Sequence, residues 1–285
     1  MWRKVPAIII TTITPVMTMI DLHCHILPGL DDGARNEEEA LAMAETAVKD
    51  GITTIVATPH VLDQGYRGAR ERIAAQVEDF NGKLRAAGIP LLILPGAEVM
   101  AAPEVPGYFR AGDLPTLDAA GRYLLLELPF QESPWYLERI LFELRVAGVT
   151  PVLAHPERYR YLRQSPNLLI PYINNGLLTQ INAGSLLGYF GEEVRRAAEI
   201  MVTHGMAHLV ASDAHRPRGA RKPVLSSCRR ELTVLAGEEV AKRLLEENPA
   251  GVIAGETLQV EEPREYRPAK KGFRRLVAWV SGKNC

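Results

Sequence analysis

Residues 20–26 read IDLHCHI, an apolar stretch in which a single cysteine separates two histidines. In a strand, alternate side chains face the same way, so His23 and His25 point together and Cys24 points opposite. Two imidazoles converging at the end of a hydrophobic strand need something to meet their nitrogens. A metal ion is the simplest candidate, and a solvated strand end is the alternative. The rest of the chain decides between them.

Similar apolar runs recur along the sequence: TTIVATPH (53–60), IPLLILPGAE (89–98), RYLLLELP (122–129), VTPVLAH (149–155), LLTQINAG (177–184) and AHLVASDAH (207–215). Helical signals separate them. Asn36 caps a first helix whose opening turn holds Glu37 to Glu39 and which Gly51 stops. Further helices are expected over 67–87, 134–147, 166–175 and 191–204, the second of these with Ser133 as cap, Pro134 in the first helical position and Gly148 beyond its end. Continuous apolar strands alternating with helices imply a parallel sheet buried on both faces. Seven strands with no edge-type sequence point to a closed α/β barrel. A doubly wound sheet is the competing architecture, but neither G-x-G-x-x-G nor G-x-x-x-x-G-K-[ST] occurs.

In α/β barrels the active site lies at the C-terminal ends of the strands. Those ends carry His23 and His25, His60, Glu98, Glu127, His155, Asn182, and finally Asp213 with His215. Five of the seven histidines of the chain fall in this set. Glu127 follows three leucines and would be costly there without a partner. Imidazoles and carboxylates gathered at one mouth indicate a polynuclear metal site suited to Mn, Fe or Zn, and the absence of cysteine from the set argues against a structural zinc. His204 is read as a helix end and His208 as the wrong end of its strand, both structural. Asp31 and Asp32, ahead of the first helix, could cap a turn or reach the mouth. Arg158 stands three residues after His155, and Arg216, Arg218 and Arg221 follow the last strand; a guanidinium matches phosphate through paired donors.

Composition sets outer bounds. The chain has 285 residues, 47% hydrophobic and 24% charged, with a net charge of −1. That balance speaks against a nucleic-acid binder working by bulk electrostatics. Cysteines at 24, 228 and 285 make no disulfide framework, so a cytoplasmic setting is expected. Residues 1–18 imitate a signal peptide but lack a cleavage site before Asp21, and they are read as a disordered extension or an upstream start. The segment 261–285 forms a basic tail. Arg264, Arg267, Lys270, Lys271, Arg274, Arg275 and Lys283 accompany Phe273, Leu276, Val277 and Val280 at helical spacing, a composition suited to weak contact with an anionic membrane through 263–285.

IDLHCHILPGLDDG, IVATPH, GAE, LLLELP, AHPERY, INAGSLLG and ASDAH together resemble the PHP (polymerase and histidinol phosphatase) superfamily, and within it the metal-dependent protein-tyrosine phosphatases of bacterial capsule and exopolysaccharide operons. The resemblance covers roughly 19–260 and implies a distorted (β/α)7 barrel of the PHP type as the catalytic unit. It implies three divalent metal ions, with Mn foremost and Fe or Zn as alternatives. Carried over, His23, His25, Glu98 and Asp213 hold one ion, Glu98 bridges to a second held by His60 and Glu127, and Asp32, His155 and His215 hold the third. Arg158 matches the phosphate-gripping arginine, and Arg216, Arg218 and Arg221 are the candidates for a second, with Arg218 and Arg221 foremost. His60 and His215 are candidate proton donors. The implied substrate is the phosphotyrosine tail of a membrane-associated tyrosine kinase that controls polysaccharide polymerisation.

Three enzymatic rivals are weighed against this reading. A cysteine phosphatase needs C-x5-R, yet Leu30 and Val234 stand six residues after Cys24 and Cys228. An amidohydrolase barrel also opens with H-x-H but typically bridges its metals with a strand-end lysine, and no strand end here is lysine. A PHP phosphatase acting on histidinol phosphate or a nucleotide would keep nearly the same ligands. A non-catalytic, metal-stabilised binding module would be expected to have lost ligand positions, and none is missing.

Overall fold

A computed structural model describes residues 19–268. The N-terminal extension and most of the basic tail, including Phe273, Leu276, Val277 and Val280, therefore lie outside the described residues. The strands are β1 (Met19–Cys24), β2 (Ile52–Ala57), β3 (His60–Val61), β4 (Leu92–Pro95), β5 (Glu98–Met100), β6 (Tyr123–Glu127), β7 (Thr150–Ala154), β8 (Leu178–Asn182) and β9 (Leu209–Ala211). All pair in parallel, in the orders β1-β2-β4 and β3-β5-β6-β7-β8-β9.

Two of the expected strands are broken in the middle. Gly96 interrupts β4–β5, where a Cβ would come within 2.5 Å of Val56 Cγ1. Thr58-Pro59 interrupts β2–β3, because proline has no N–H for the ladder. His60 and Glu98 thus open short second segments that pair with each other, rather than closing the first. Counted as staves, β2 with β3 and β4 with β5 leave seven. A bridge between Cys24 and Ala214, with His25 N donating to Ala214 O at 2.8 Å, joins the last stave to the first. The result is the expected (β/α)7 barrel, distorted where the two sheets part.

The helices follow their strands: α1 (Glu37–Asp50), α2 (Ala69–Ala86), α3 (Val105–Arg110), α4 (Leu137–Val146), α5 (Arg160–Gln164), α6 (Ile170–Asn174), α7 (Ala183–Leu186), α8 (Glu192–Thr203), α9 (Ser226–Ala236), α10 (Glu238–Lys242) and α11 (Asn248–Ile253). The Asn36 cap is as expected, its side chain accepting from Glu39 N at 2.9 Å, and Gly51 ends the helix in the left-handed region. The helix expected over 134–147 is shorter. Leu137 N donates to Pro134 O at 3.1 Å, which closes a turn, so α4 starts three residues late and Ser133 caps nothing. The expected helix 166–175 splits into a 3₁₀ turn (Pro166–Leu169) and α6.

Alternation along the staves separates two apolar cores. Tyr123, Leu125, Val152, Leu178 and Leu209 fill the barrel interior, while Leu124, Leu126, Leu153, Ile181 and Val210 face the helices. By the same alternation, Glu127 continues the inner face of β6, and Gln180 and Asn182 continue that of β8. In β1 an irregularity between Asp21 and Cys24 shifts the phase, so that His23 and His25 turn inward while Cys24 packs with the outer core. Inner-face apolar side chains thus form the floor, and polar ones end the same rows at the mouth.

His208 is buried at the opposite end, where its Nδ1 accepts from Thr179 N at 3.0 Å. Burial, with Arg243 nearby, pushes its pKa down to about 4. Between pH 4 and the unfolded value near 6.5 the unfolded chain then binds the extra proton, so this contribution to stability is complete above 6.5 and is lost as pH falls to about 4. The loss amounts to about 3 kcal/mol at that site. In His208→Asn, whose Oδ1 can accept in place of Nδ1, the acid limb of a urea-midpoint profile should be shallower than in the wild type over this window. An unchanged limb would refute the assignment.

Candidate metal centre

His23 Nε2 and His25 Nε2 face each other at 3.1 Å. Their outer nitrogens are each held by an acceptor: His23 Nδ1 lies 2.7 Å from Gln180 Oε1, and His25 Nδ1 lies 2.6 Å from Asp31 Oδ2. Such partners fix the proton on Nδ1 and turn the Nε2 lone pair inward. Two lone pairs at this separation repel unless a cation stands between them. The surrounding carboxylates match that requirement, with Glu98 Oε2 at 3.2 and 3.3 Å and Asp213 Oδ1 at 3.6 Å from the two nitrogens. Burial alone would lower the His25 pKa, yet Asp31 and Glu98 outweigh it and raise it to about 10. A field that holds a proton so firmly also favours a metal ion, and this donor set fits one.

Glu98 lies at the junction. Its Oε2 is 3.1 Å from His60 Nδ1 and its Oε1 is 2.9 Å from His155 Nε2. Burial would raise its pKa, but the neighbouring imidazoles overturn this and keep it ionised. Glu127 faces the same two histidines at 3.6 and 3.7 Å. Burial and then the Glu98 charge push its carboxyl up to about 7. A second positive centre between Glu98 and Glu127 would relieve that repulsion.

A third group lies nearer the rim. Asp32 Oδ1 is 3.1 Å from His215 Nε2 and 3.5 Å from His60 Nε2. His215 Nδ1 donates to Asp213 O at 3.1 Å, which again leaves Nε2 as the free acceptor. The three sets of donors close enough to share an ion are His23-His25-Asp213, His60-Glu98-Glu127 and His25-Asp32-His60-His215.

All nine residues expected as ligands therefore converge, and His23-His25-Asp213 and His60-Glu98-Glu127 stand together as expected, while His155 and His60 depart from the expected grouping. His155 sits against Glu98 and Glu127, not with Asp32 and His215, and His60 reaches toward both groups. The physical reason is the break in the staves. His60 opens β3 beside Glu98 and stands across from Asp32 on the β1–α1 loop, whereas His155 ends β7 beside the β6 residue Glu127.

The arginines separate as well. Arg158 Nη1 donates to Asp213 Oδ2 at 3.0 Å, and Arg221 Nη2 donates to Asp213 Oδ1 at 2.9 Å. Arg216 is occupied by the carbonyls of Asp32, Gly33 and His215 at 2.5–2.8 Å, clamping the loop that carries Asp32. Arg218, expected as a phosphate contact, is exposed and makes no hydrogen bond or ion pair among the described residues. Arg221 is thus the second arginine at the cluster. The reason is local: His215 N and Arg216 N both donate to Arg221 O, folding the loop back so that 221 returns to the site while 218 stays at its tip.

His155 (φ 34°) and Asp213 (φ 51°) are the non-glycine residues with left-handed backbone among those described. Strain of this kind is held where the surroundings over-determine it, and both residues belong to the cluster. Beyond Asp31 and Asn182, which the sequence already places near the mouth, Gln180, Glu157 and Asp21 are supporting residues that its patterns do not single out. Asp31 orients His25 and also accepts from His60 N at 2.9 Å. Gln180 orients His23, and Asn182 Nδ2 donates to Asp213 Oδ2 at 2.6 Å. Glu157, fully buried, accepts from Asn182 N and Ser185 Oγ. Asp21 accepts from Ser212 N and Oγ, tying the first stave to the last. Only Gln180 had a usable signal, two residues before Asn182 on one strand face.

A family model described as capsular polysaccharide synthesis, CpsB/CapC, matches residues 19–254. Among individual proteins, the chain is 40% identical to the tyrosine-protein phosphatase YwqE of Bacillus subtilis over 197 residues, 69% of this chain and 77% of that one. It is 30% identical to the tyrosine-protein phosphatase CpsB of Streptococcus pneumoniae over 240 residues, 82% of this chain and 98% of that one. A crystal structure from work on YwqE and CpsB, described there as unique metal-dependent tyrosine phosphatases, matches with TM-score 0.83 and 35% identity, covering 88% of this chain and 100% of that one. A dihydropyrimidinase from Brevibacillus agri matches at TM-score 0.51 and 12% identity, a likeness of barrel fold alone. With most of its length matched by the family model and its barrel superposing on a solved relative, the chain belongs to the CpsB/CapC family of capsular polysaccharide synthesis.

Proposed function

We propose that this protein is a metal-dependent protein-tyrosine phosphatase, a phosphoric monoester hydrolase acting on the phosphotyrosine tail of a membrane-associated bacterial tyrosine kinase in capsule or exopolysaccharide synthesis. The observation that carries the proposal is the meeting of nine imidazole and carboxylate ligands with two arginines on Asp213. The ligands would hold three divalent ions: His23, His25, Glu98 and Asp213 around one, Glu98, Glu127 and His155 around a second, and Asp32, His60 and His215 around a third. A mixed set of five imidazoles and four carboxylates accommodates Mn, Fe or Zn, and the family resemblance puts Mn first. Bound there, such ions lower the pKa of water and neutralise phosphoryl charge.

The chain's own residues supply the rest. Arg158 and Arg221 each spend one N–H on Asp213 and keep others for phosphoryl oxygens. They hold the ester in place and neutralise phosphoryl charge in the bound ester and the transition state alike. A tyrosyl leaving group has a pKa of about 10, so it departs with little protonation. His60 and His215, the candidate proton donors, would each commit Nε2 to the third ion while Nδ1 faces Glu98 and Asp213, so any proton the leaving oxygen takes would come from solvent. Among the described residues no helix is long and apolar enough to cross a membrane. Free Cys24 and Cys228 support a reducing, cytoplasmic setting.

The test compares kcat/KM for a phosphotyrosyl peptide with that for histidinol phosphate and a nucleoside monophosphate. The peptide should be preferred by at least about tenfold, equivalent to 1.4 kcal/mol of differential transition-state binding. Preference for either small ester would move the protein to the alternative reading, and no turnover of any of the three would leave only a binding module.

A further inference from the structure

Two aromatic side chains meet the proposed phosphate-gripping arginine, and neither is a ligand or a proton donor. The Arg158 Cζ lies over the ring of Phe130 at 5.2 Å and over the ring of Phe190 at 5.2 Å. The rings come from different loops, Phe130 from the one after β6 and Phe190 from the one between α7 and α8. Phe130 also lies parallel to the His155 imidazole, with ring centroids 5.7 Å apart and an interplanar angle of 10°. Behind Phe190 stands Gly184, where a Cβ would come within 3.0 Å of the Phe190 ring. The space for this ring therefore depends on the absence of a side chain at 184.

A guanidinium is planar, and its five N–H donors lie in that plane. Aromatic carbon offers no acceptor matching a carboxylate or phosphate, so rings facing the guanidinium restrict its hydrogen bonds to the edge. One edge N–H is fixed on Asp213 at 3.0 Å, the one hydrogen-bond acceptor for this guanidinium among the described residues. The two rings displace part of the water around an arginine side chain that is 24% accessible, which strengthens the charge seen along the edge. Contact through Phe130 also ties the plane of the arginine to the ring of His155, a proposed ligand.

We infer that Phe130 and Phe190 are positioning residues that fix the plane of the Arg158 guanidinium, so that its free edge is preset for a phosphoryl group at the metal cluster. The inference rests on the phosphatase reading for its substrate, but it concerns phosphate binding in itself. Losing a ring that acts this way weakens binding of substrate and of inorganic phosphate alike, and leaves the chemical step nearly intact.

The experiment uses the full chain with its metals, and measures KM and kcat on a phosphotyrosyl peptide, competitive inhibition by inorganic phosphate, metal content and thermal midpoint. Phe190→Leu and Phe130→Leu keep an apolar side chain without a ring. Each should raise KM and the phosphate inhibition constant together, by roughly five- to thirty-fold, the range expected for one partly desolvated cation–π contact. Turnover should stay within about twofold, and metal content should be unchanged. Phe190→Tyr should restore the wild-type constants, because the ring returns. Phe142→Ala, at an exposed position on α4, serves as the unaffected control. The inference fails if kcat falls while phosphate inhibition stays the same, or if Phe190→Tyr is no better than Phe190→Leu at equal thermal midpoint. Should the wild type hydrolyse no phosphotyrosyl peptide, the phosphatase reading falls, and direct calorimetric binding of inorganic phosphate to the same variants still decides the role of the rings.

Discussion

Exhaustive chelation should abolish hydrolysis of a phosphotyrosyl peptide, and Mn²⁺ should restore it further than Mg²⁺. The expectation follows from the donors. Mg²⁺ prefers an octahedral shell of oxygens and sheds water reluctantly, whereas five of the nine converging groups are imidazoles. Removing the ions also leaves Glu98, Glu127 and Asp213 buried side by side. The stripped protein should therefore lose thermal stability together with activity, and both should return with metal. Thiol alkylation should change neither property. Cys24 and Cys228 are buried, and burial holds both thiols well above their usual pKa, so almost no thiolate exists at neutral pH. Metal analysis alongside the assay makes the test sharp. Full turnover by protein carrying only a trace of metal would sink the metal mechanism, as would loss of turnover on alkylation with the metals retained.

The barrel and most of the proposed ligands are legible because they rest on short-range rules. Apolar runs bounded by helix signals place the strands, and alternation places every other residue on the inner face, so a His, Glu or Asp at the end of a run must stand at the mouth. That logic reaches eight of the nine proposed ligands from the residues themselves. Asp32 is different: it lies on a loop, where no periodicity applies, and only family resemblance put it in the set. Which of these residues stand together is not encoded locally, for a related reason. Where a stave breaks, as at Gly96 and Thr58-Pro59, the residues beyond the break take a new position that no local pattern encodes, and His60 and Glu98 both lie beyond a break. The same limit explains Arg218 and Arg221. Both are arginines of one basic loop, and which returns to the site depends on two backbone hydrogen bonds to Arg221 O. Asp31 and Gln180 act through ligand histidines, a role that residue type and spacing do not reveal. His204 ends α8, its Nδ1 meeting Ile200 O at 2.9 Å, as its position before Gly205 suggested.

The second large effect is expected at Asp213. Its two carboxylate oxygens are shared among Arg158, Arg221 and Asn182, and Oδ1 also faces His23 and His25. Burial would raise its pKa, but the surrounding positive groups reverse that and hold the carboxyl well below its usual range. Asp213→Asn is the informative change because asparagine tolerates the left-handed backbone at φ 51° about as well as aspartate. Alanine there would add backbone strain to the loss of charge. With asparagine, one oxygen becomes an N–H₂ that must face a donor from Arg158, Arg221 or Asn182, and two arginines lose their common counter-charge. Breaking one side of a buried ion pair typically costs about 3–5 kcal/mol, which as a rate corresponds to roughly 10²–10⁴-fold in kcat/KM. The loss should appear in both substrate turnover and metal retention, since one side chain serves ligand and arginine anchor together. Arg221→Gln should reduce kcat/KM by less, because Arg158 still anchors the phosphate and Asp213 remains available to the metal. A fully metallated Asp213→Asn protein within tenfold of wild-type kcat/KM would show that Asp213 is not the point where the metal cluster and the phosphate-binding arginines are joined.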